Sequence, residues 1–161
     1  VDGNSVQLRG GVGVRISSSP TVPPAASLEG MNSTRTDTNI WPGLTYDDAL
    51  AAREWLRRIG FEEGILVEGD ADGEVVHSEM LWPDGGRVMV HSTCKQDATF
   101  STPRGSGSVY VVVTDPDAVY ARAQELGARL VREMREEDYG SKGFSVADPE
   151  GNTWSFGTYA G

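Results

Sequence analysis

The sequence predicts an α+β chain built from two β-α-β-β-β units, and three observations predict it. Short runs rich in β-branched and aromatic residues alternate with two stretches of helical period. The pattern occurs twice: Asp48-Ala49 and Arg53 match Asp117-Ala118 and Arg122 at an offset of 69, and residues 82–86 (WPDGG) match residues 148–152 (DPEGN) at an offset of 66. Each unit also carries a Pro-acid-Gly hairpin turn, in which Pro presets one φ and Gly accepts a positive one. The difference between the offsets falls in the intervening strands and loops, where insertions are tolerated.

In the first unit, residues 39–45 (NIWPGLT) read as a short strand leading into a turn. Asp47 or Asp48 then caps a helix that runs to about Ile59 and stops at Gly60. Leu50, Trp55, Leu56 and Ile59 make its apolar stripe, and Arg53, Glu54, Arg57 and Arg58 are assigned to solvent. Residues 65–70 (ILVEGD), 75–82 (VVHSEMLW) and 87–92 (RVMVHS) are strands bounded by Gly, Asp or Pro. In the second unit, residues 108–114 (SVYVVVT) are the clearest strand of the chain. A helix begins at Asp115 to Asp117, runs to about Leu126 and ends at Gly127. Strands at 128–136 (ARLVREMRE), 143–148 (GFSVAD) and 152–159 (NTWSFGTY) complete the unit. The expected organisation is an arm of residues 1–38, a first module of residues 39–100 and a second of residues 101–161. Residues 1–30 are rich in Gly, Ser, Pro and Val with no helical period, and Met31 follows them. They read either as a stretch foreign to the natural protein or as a natural flexible arm.

Composition narrows the function classes. The 161 residues carry 14 basic and 24 acidic side chains, a net charge of −10. That balance lacks the basic footprint of a nucleic-acid binder and favours a neutral or cationic guest. No run approaches the roughly 18 apolar residues of a membrane helix. A single cysteine, Cys94, rules out an internal disulfide framework and a multi-cysteine zinc site. With only His77 and His91, a multi-histidine metal centre within one chain is not expected. The expected location is cytoplasmic, with neither nucleic acid nor membrane as partner. Enzyme and binding protein both remain open.

The segments HSEMLWPDGGRVMV (77–90), SVYVVVTDPDAV (108–119) and DYGSKGFSVADPEGNTWSFGTY (138–159), set in the doubled β-α-β-β-β order, resemble the vicinal oxygen chelate superfamily of glyoxalases, bleomycin-resistance proteins and extradiol dioxygenases. The PhnB-like branch is the most similar in character, and the resemblance spans about residues 39–160. It implies a cupped, mostly antiparallel eight-stranded sheet with helices outside. It also implies a homodimer whose crevices are built from modules of both subunits. Metal-using members place a His, Gln or Glu on the first and last strand of each module, where the ion acts as a Lewis acid on vicinal oxygens. Carried over position by position, those slots fall on Asn39 or Ile40, on Met89, on Ser108 and on Ser155. None is a His, Gln or Glu, so the resemblance implies the scaffold without the metal set, and no cofactor is expected.

Other chemistry is sparse. His77 and Glu79 share a strand face as two plausible ligands, or else face solvent, a dimer partner or a neighbouring strand. Cys94 lies three residues after His91 in a polar loop, beside Lys95, which is weak support for a nucleophile pair. GGVGV near the start is no phosphate loop, because neither Lys-Ser nor Lys-Thr follows it. Glu133, Glu136, Glu137 and Asp138 read as a solvated edge. What remains is aromatic. If Ser155 faces the cup, alternation turns Trp154 and Phe156 towards the helix as core. Trp41, Met89, His91, Tyr110 and Ser155 then point inwards, as the wall of a pocket for a flat or amphipathic molecule. His91 stands either against the guest or at an exposed rim. The reading is metal-independent binding of a small organic molecule, in a drug-sequestering or resistance-like role. The alternatives are a glyoxalase-like lyase or isomerase with an atypical centre, and an interaction module with no ligand.

Overall fold

The structure is a computed structural model that describes residues 40–93, 99 and 102–161. The arm of residues 1–38, Asn39 and Cys94 lie outside the described residues. The elements are β1 (Gly43–Tyr46), α1 (Ala49–Ile59), β2 (Glu62–Glu68), β3 (Val75–Leu81), β4 (Arg87–Ser92), β5 (Ser108–Val112), α2 (Pro116–Glu125), β6 (Arg129–Glu136), β7 (Lys142–Ala147) and β8 (Thr153–Gly157). This is the α+β class with the β-α-β-β-β order twice over. The eight strands divide between two four-stranded sheets, β1-β4-β3-β2 and β5-β8-β7-β6. In each sheet the first strand runs parallel to the last, and the other neighbours are antiparallel. Among the described residues no helix is long and apolar enough to cross a membrane.

The helix ends follow from their sequences. Asp48 accepts the Ala51 N–H at 2.9 Å, and Asp115 accepts the Ala118 N–H at 3.0 Å, with Pro116 opening the helix. Gly60 closes α1 at φ 132°, where a side chain would be strained. A second cap on α1 comes from the other unit. The Glu150 carboxylate accepts the N–H groups of Asp47 at 2.9 Å and Asp48 at 2.8 Å. The β7–β8 turn thus supplies negative charge to a helix with no acidic residue in its own first turn. Glu150→Ala is expected to lower stability by about 1 kcal/mol, read as a lower urea midpoint at unchanged slope.

One corrected expectation concerns α1. Arg53 is buried, with 4% of its surface exposed, and is not solvated. It lies on the buried face with Ala49, Ala52 and Leu56, and its guanidinium donates to the carbonyls of Glu79 (3.1 Å) and Ile65 (3.4 Å). Its apolar stem fills the helix–sheet gap while its head satisfies strand carbonyls. Leu50, expected in the stripe, is on the exposed side.

Both units share one core. Trp154 is fully buried, its ring centroid 6.3 Å from Trp55 and 5.5 Å edge-on from Phe61. Trp82 lies 5.0 Å from Phe61 and 6.0 Å from Phe156, and Phe156 stacks on Phe144 at 5.5 Å. The buried Asp148 carboxylate ties the units together. It accepts Tyr46 Oη (2.8 Å), Asn152 Nδ2 (3.0 Å), Trp154 Nε1 (3.1 Å) and the N–H groups of Glu150 and Asn152. Burial, then the Asp148 charge, raises the Tyr46 phenol far above its usual range.

Candidate functional site

Because Trp154 and Phe156 turn inwards, Ser155 between them faces away from the core, as strand alternation requires. Four of the five expected site residues fall on the two sheets, Met89 and His91 on the first and Tyr110 and Ser155 on the second, and Trp41 precedes β1.

On the first sheet, Met89 sits across from Glu79 and beside Gly43, and His91 sits beside Thr45. A Cβ on Gly43 would lie 3.7 Å from both the His91 ring and the Met89 methyl, so the two side chains converge over the bare glycine. His91 is not at an exposed rim. It is buried, and its Nε2 is 3.0 Å from Thr45 Oγ1. Trp41 stands further along, with the Arg87 guanidinium 4.5 Å above its ring. Arg87 in turn donates to Glu79 at 2.6 Å, and His77 Nε2 is 3.4 Å from the same carboxylate. Glu79 is therefore engaged by Arg87, a link that spacing along the chain did not reveal.

On the second sheet, Tyr110 is the register partner of Ser155, and Ser155 is the partner of Ser145. The two serine hydroxyls are 2.8 Å apart. Tyr110 Oη accepts the Tyr159 N–H at 3.1 Å. Tyr110 and Ser155 line one cleft of about 500 Å³, together with Arg132, Glu137, Tyr139 and Tyr159. Glu137, expected at a solvated edge, instead accepts Arg132 (3.0 Å) and Arg135 (2.7 Å). Alternation from Ser155 could have pointed to Ser145. Nothing in the spacing singled out Arg132, which an irregularity in the β6–β7 register brings to this face.

The registers show where the expected metal slots stand. The residue beside Met89 is Gly43, and the residue beside Ser155 is Tyr110. Ile40 lies outside the strands, and Ser108 pairs with Thr153. The expected slots among the described residues are Ile40, Met89, Ser108 and Ser155. Isoleucine offers no side-chain donor and Met only a soft thioether, while the Ser155 hydroxyl is already hydrogen-bonded. These residues do not fit a divalent Lewis-acid centre. Among the described residues no group of three or more His, Cys, Asp or Glu stands where it could hold a metal ion.

A family model described as a glyoxalase-like domain matches residues 66–156, more than half of the chain. The chain belongs to the glyoxalase-like domain family. An uncharacterised protein of Mycobacterium tuberculosis is 32% identical over 123 residues, covering 72% of this chain and 71% of its own. The crystal structure of TioX from Micromonospora sp. ML1 superposes with a TM-score of 0.63 at 28% identity, over 76% of this chain and 99% of TioX. A bleomycin-binding protein complexed with bleomycin superposes with a TM-score of 0.55 at 14% identity, over 76% of this chain and 99% of that one, a likeness of fold alone. The glyoxalase-like match runs from β2 to β8 and so includes Met89, His91, Tyr110 and Ser155.

Proposed function

We propose that this glyoxalase-like chain binds a small organic molecule without a metal ion, in a drug-sequestering or resistance-like role. The observation that carries the reading is the second-sheet cleft, where Tyr110 stands over a floor of small hydroxylated side chains. An aromatic wall beside a few polar groups suits a flat guest. The fold shared with a protein whose structure holds bleomycin supports the same reading. Residues 39–100 and 101–161 act as two modules, and the chain pairs with a second copy. In the pair, the first-sheet group of one subunit (Trp41, Met89, His91) covers the Tyr110 and Ser155 cleft of the other. The separation of Met89 and His91 from Tyr110 and Ser155 onto two sheets of one chain supports this assembly, since a partner would complete each cleft.

A thermal-shift screen with divalent metals and aromatic drugs tests the reading. At a free concentration of 100 times Kd, a selective guest adds about 2.7 kcal/mol of stability, so an aromatic compound should raise the Tm of the dimer while metals leave it unchanged. Elemental analysis after gentle purification should find well under one Zn, Ni, Fe or Mn per chain. A stoichiometric metal, or a Tm raised by metal and by no organic compound, would contradict the proposal.

A further inference from the structure

The two sheets are copies of one another, but their outer faces are furnished in opposite ways. Glu79 lies across from Met89 as Ser145 lies across from Ser155. The same offset sets His77 against Gly143 and His91 against Gly157. Where the first sheet carries the large side chains of His77, Glu79, Met89 and His91, the second carries only Gly143, Ser145, Ser155 and Gly157. Neither glycine has room for more. A Cβ on Gly143 would lie 2.6 Å from the Phe156 carbonyl oxygen, and one on Gly157 would lie 2.6 Å from Tyr110 Oη. The floor is therefore held low.

Tall walls flank it. Tyr110, Tyr139 and Tyr159 are all exposed, and Tyr139 meets Tyr159 edge-to-face at 5.7 Å and 74°. Stacking surface of this kind is otherwise left to water. The remaining wall is Arg132. Its Nη1 is held by Glu137, while its Nε–H is buried without a hydrogen-bond partner among the described residues. A buried guanidinium N–H is costly to leave unpaired. Glu137 is also shared with Arg135, so two guanidiniums face one carboxylate. Of the cleft's lining residues only Arg132 and Glu137 are charged, so the wall is balanced where the chain as a whole carries −10.

We propose that this cleft selects a flat aromatic molecule bearing an oxygen acceptor, carboxylate or carbonyl, on its edge. The ring lies among the tyrosines above the Ser145–Ser155 pair, and the acceptor bonds the Arg132 guanidinium. This rests on the small-molecule reading above and adds a guest class to it. It also sets the Arg132 donor, and not the acidic net charge, as the selector.

Three matched probes test it by calorimetry on the full chain: 2-naphthoate, 2-naphthamide and 2-naphthylmethylammonium. The two acceptors should bind, and the ammonium at least about tenfold more weakly, as befits a hydrogen bond from a charged donor. Arg132→Met keeps the stem and should erase the discrimination while the circular dichroism and melting curve stay native. If the ammonium binds as tightly as naphthoate, or Arg132→Met leaves the ratio unchanged, the acceptor assignment is overturned and the binding reading stands. If no probe binds but a compound from the aromatic drug screen does, the guest class is wrong and the binding reading again stands. If neither the probes nor any screened compound binds, both fall together.

Discussion

Replacing Asp148 with alanine is expected to destabilise the protein by roughly 3–5 kcal/mol, because several donors aimed at one buried carboxylate lose their acceptor at once. Those donors belong to Tyr46, Asn152, Trp154 and the backbone of the turn. Tyr46 comes from the first unit and Trp154 from the second, so the loss should weaken the joint between them. Tyr46→Phe removes a single hydrogen bond to a charged group and should cost about 1.5–3 kcal/mol. Denaturant unfolding at neutral pH checks both values. The raised Tyr46 phenol adds a pH signature. The folded state holds this proton more tightly than the unfolded chain, whose phenol ionises near pH 10. The contribution is complete below that pH and is lost as the pH rises beyond it. Stability should therefore fall on the alkaline side, and Tyr46→Phe should flatten that limb.

Trp154→Ala and Tyr110→Ala should separate core from cleft. Trp154 is fully buried between Trp55 and Phe61, and its truncation should cost roughly 3–5 kcal/mol. Tyr110 is 46% exposed and lines the cleft. Its truncation should leave a folded protein that binds an aromatic guest at least about tenfold more weakly, a loss of some 1.4 kcal/mol. The two sit on adjacent strands one ladder position apart, since Val109 pairs with Trp154 and Tyr110 with Ser155. A one-residue slip of register would exchange their roles. Paired melting curves and titrations on the two variants give the comparison.

Local rules made most of the fold legible. Helix caps at Asp48 and Asp115, the stops at Gly60 and Gly127, and the two Pro-acid-Gly turns are short-range signals that stand in the chain as they stand in the structure. Alternation around Ser155 likewise separates core from outer face without knowledge of the partner strand. Arg53 was misread because its burial depends on carbonyls of β2 and β3, which helical periodicity does not contain. Arg132 escaped notice, and Glu137 was assigned to a solvated edge, for a second reason. Their place at the cleft comes from an irregular register between β6 and β7, and such a bulge leaves no alternation pattern to read. Tyr110 and Ser155 were reached by parity alone, and the structure puts them on one cleft; Met89 and His91 lie on the other sheet of the same chain, and Trp41 precedes it, under the Arg87 guanidinium.

Amide chemical-shift mapping on isotope-labelled full chain, with an aromatic compound that raises the melting temperature, tests the central claim most directly. Binding on the second sheet is expected to move the signals of Tyr110, Ser145, Ser155 and Tyr159 and to leave the Trp154 indole in place. Shifts gathered on the outer surfaces of α1 and α2, with Tyr110 and Ser155 unmoved, would contradict it.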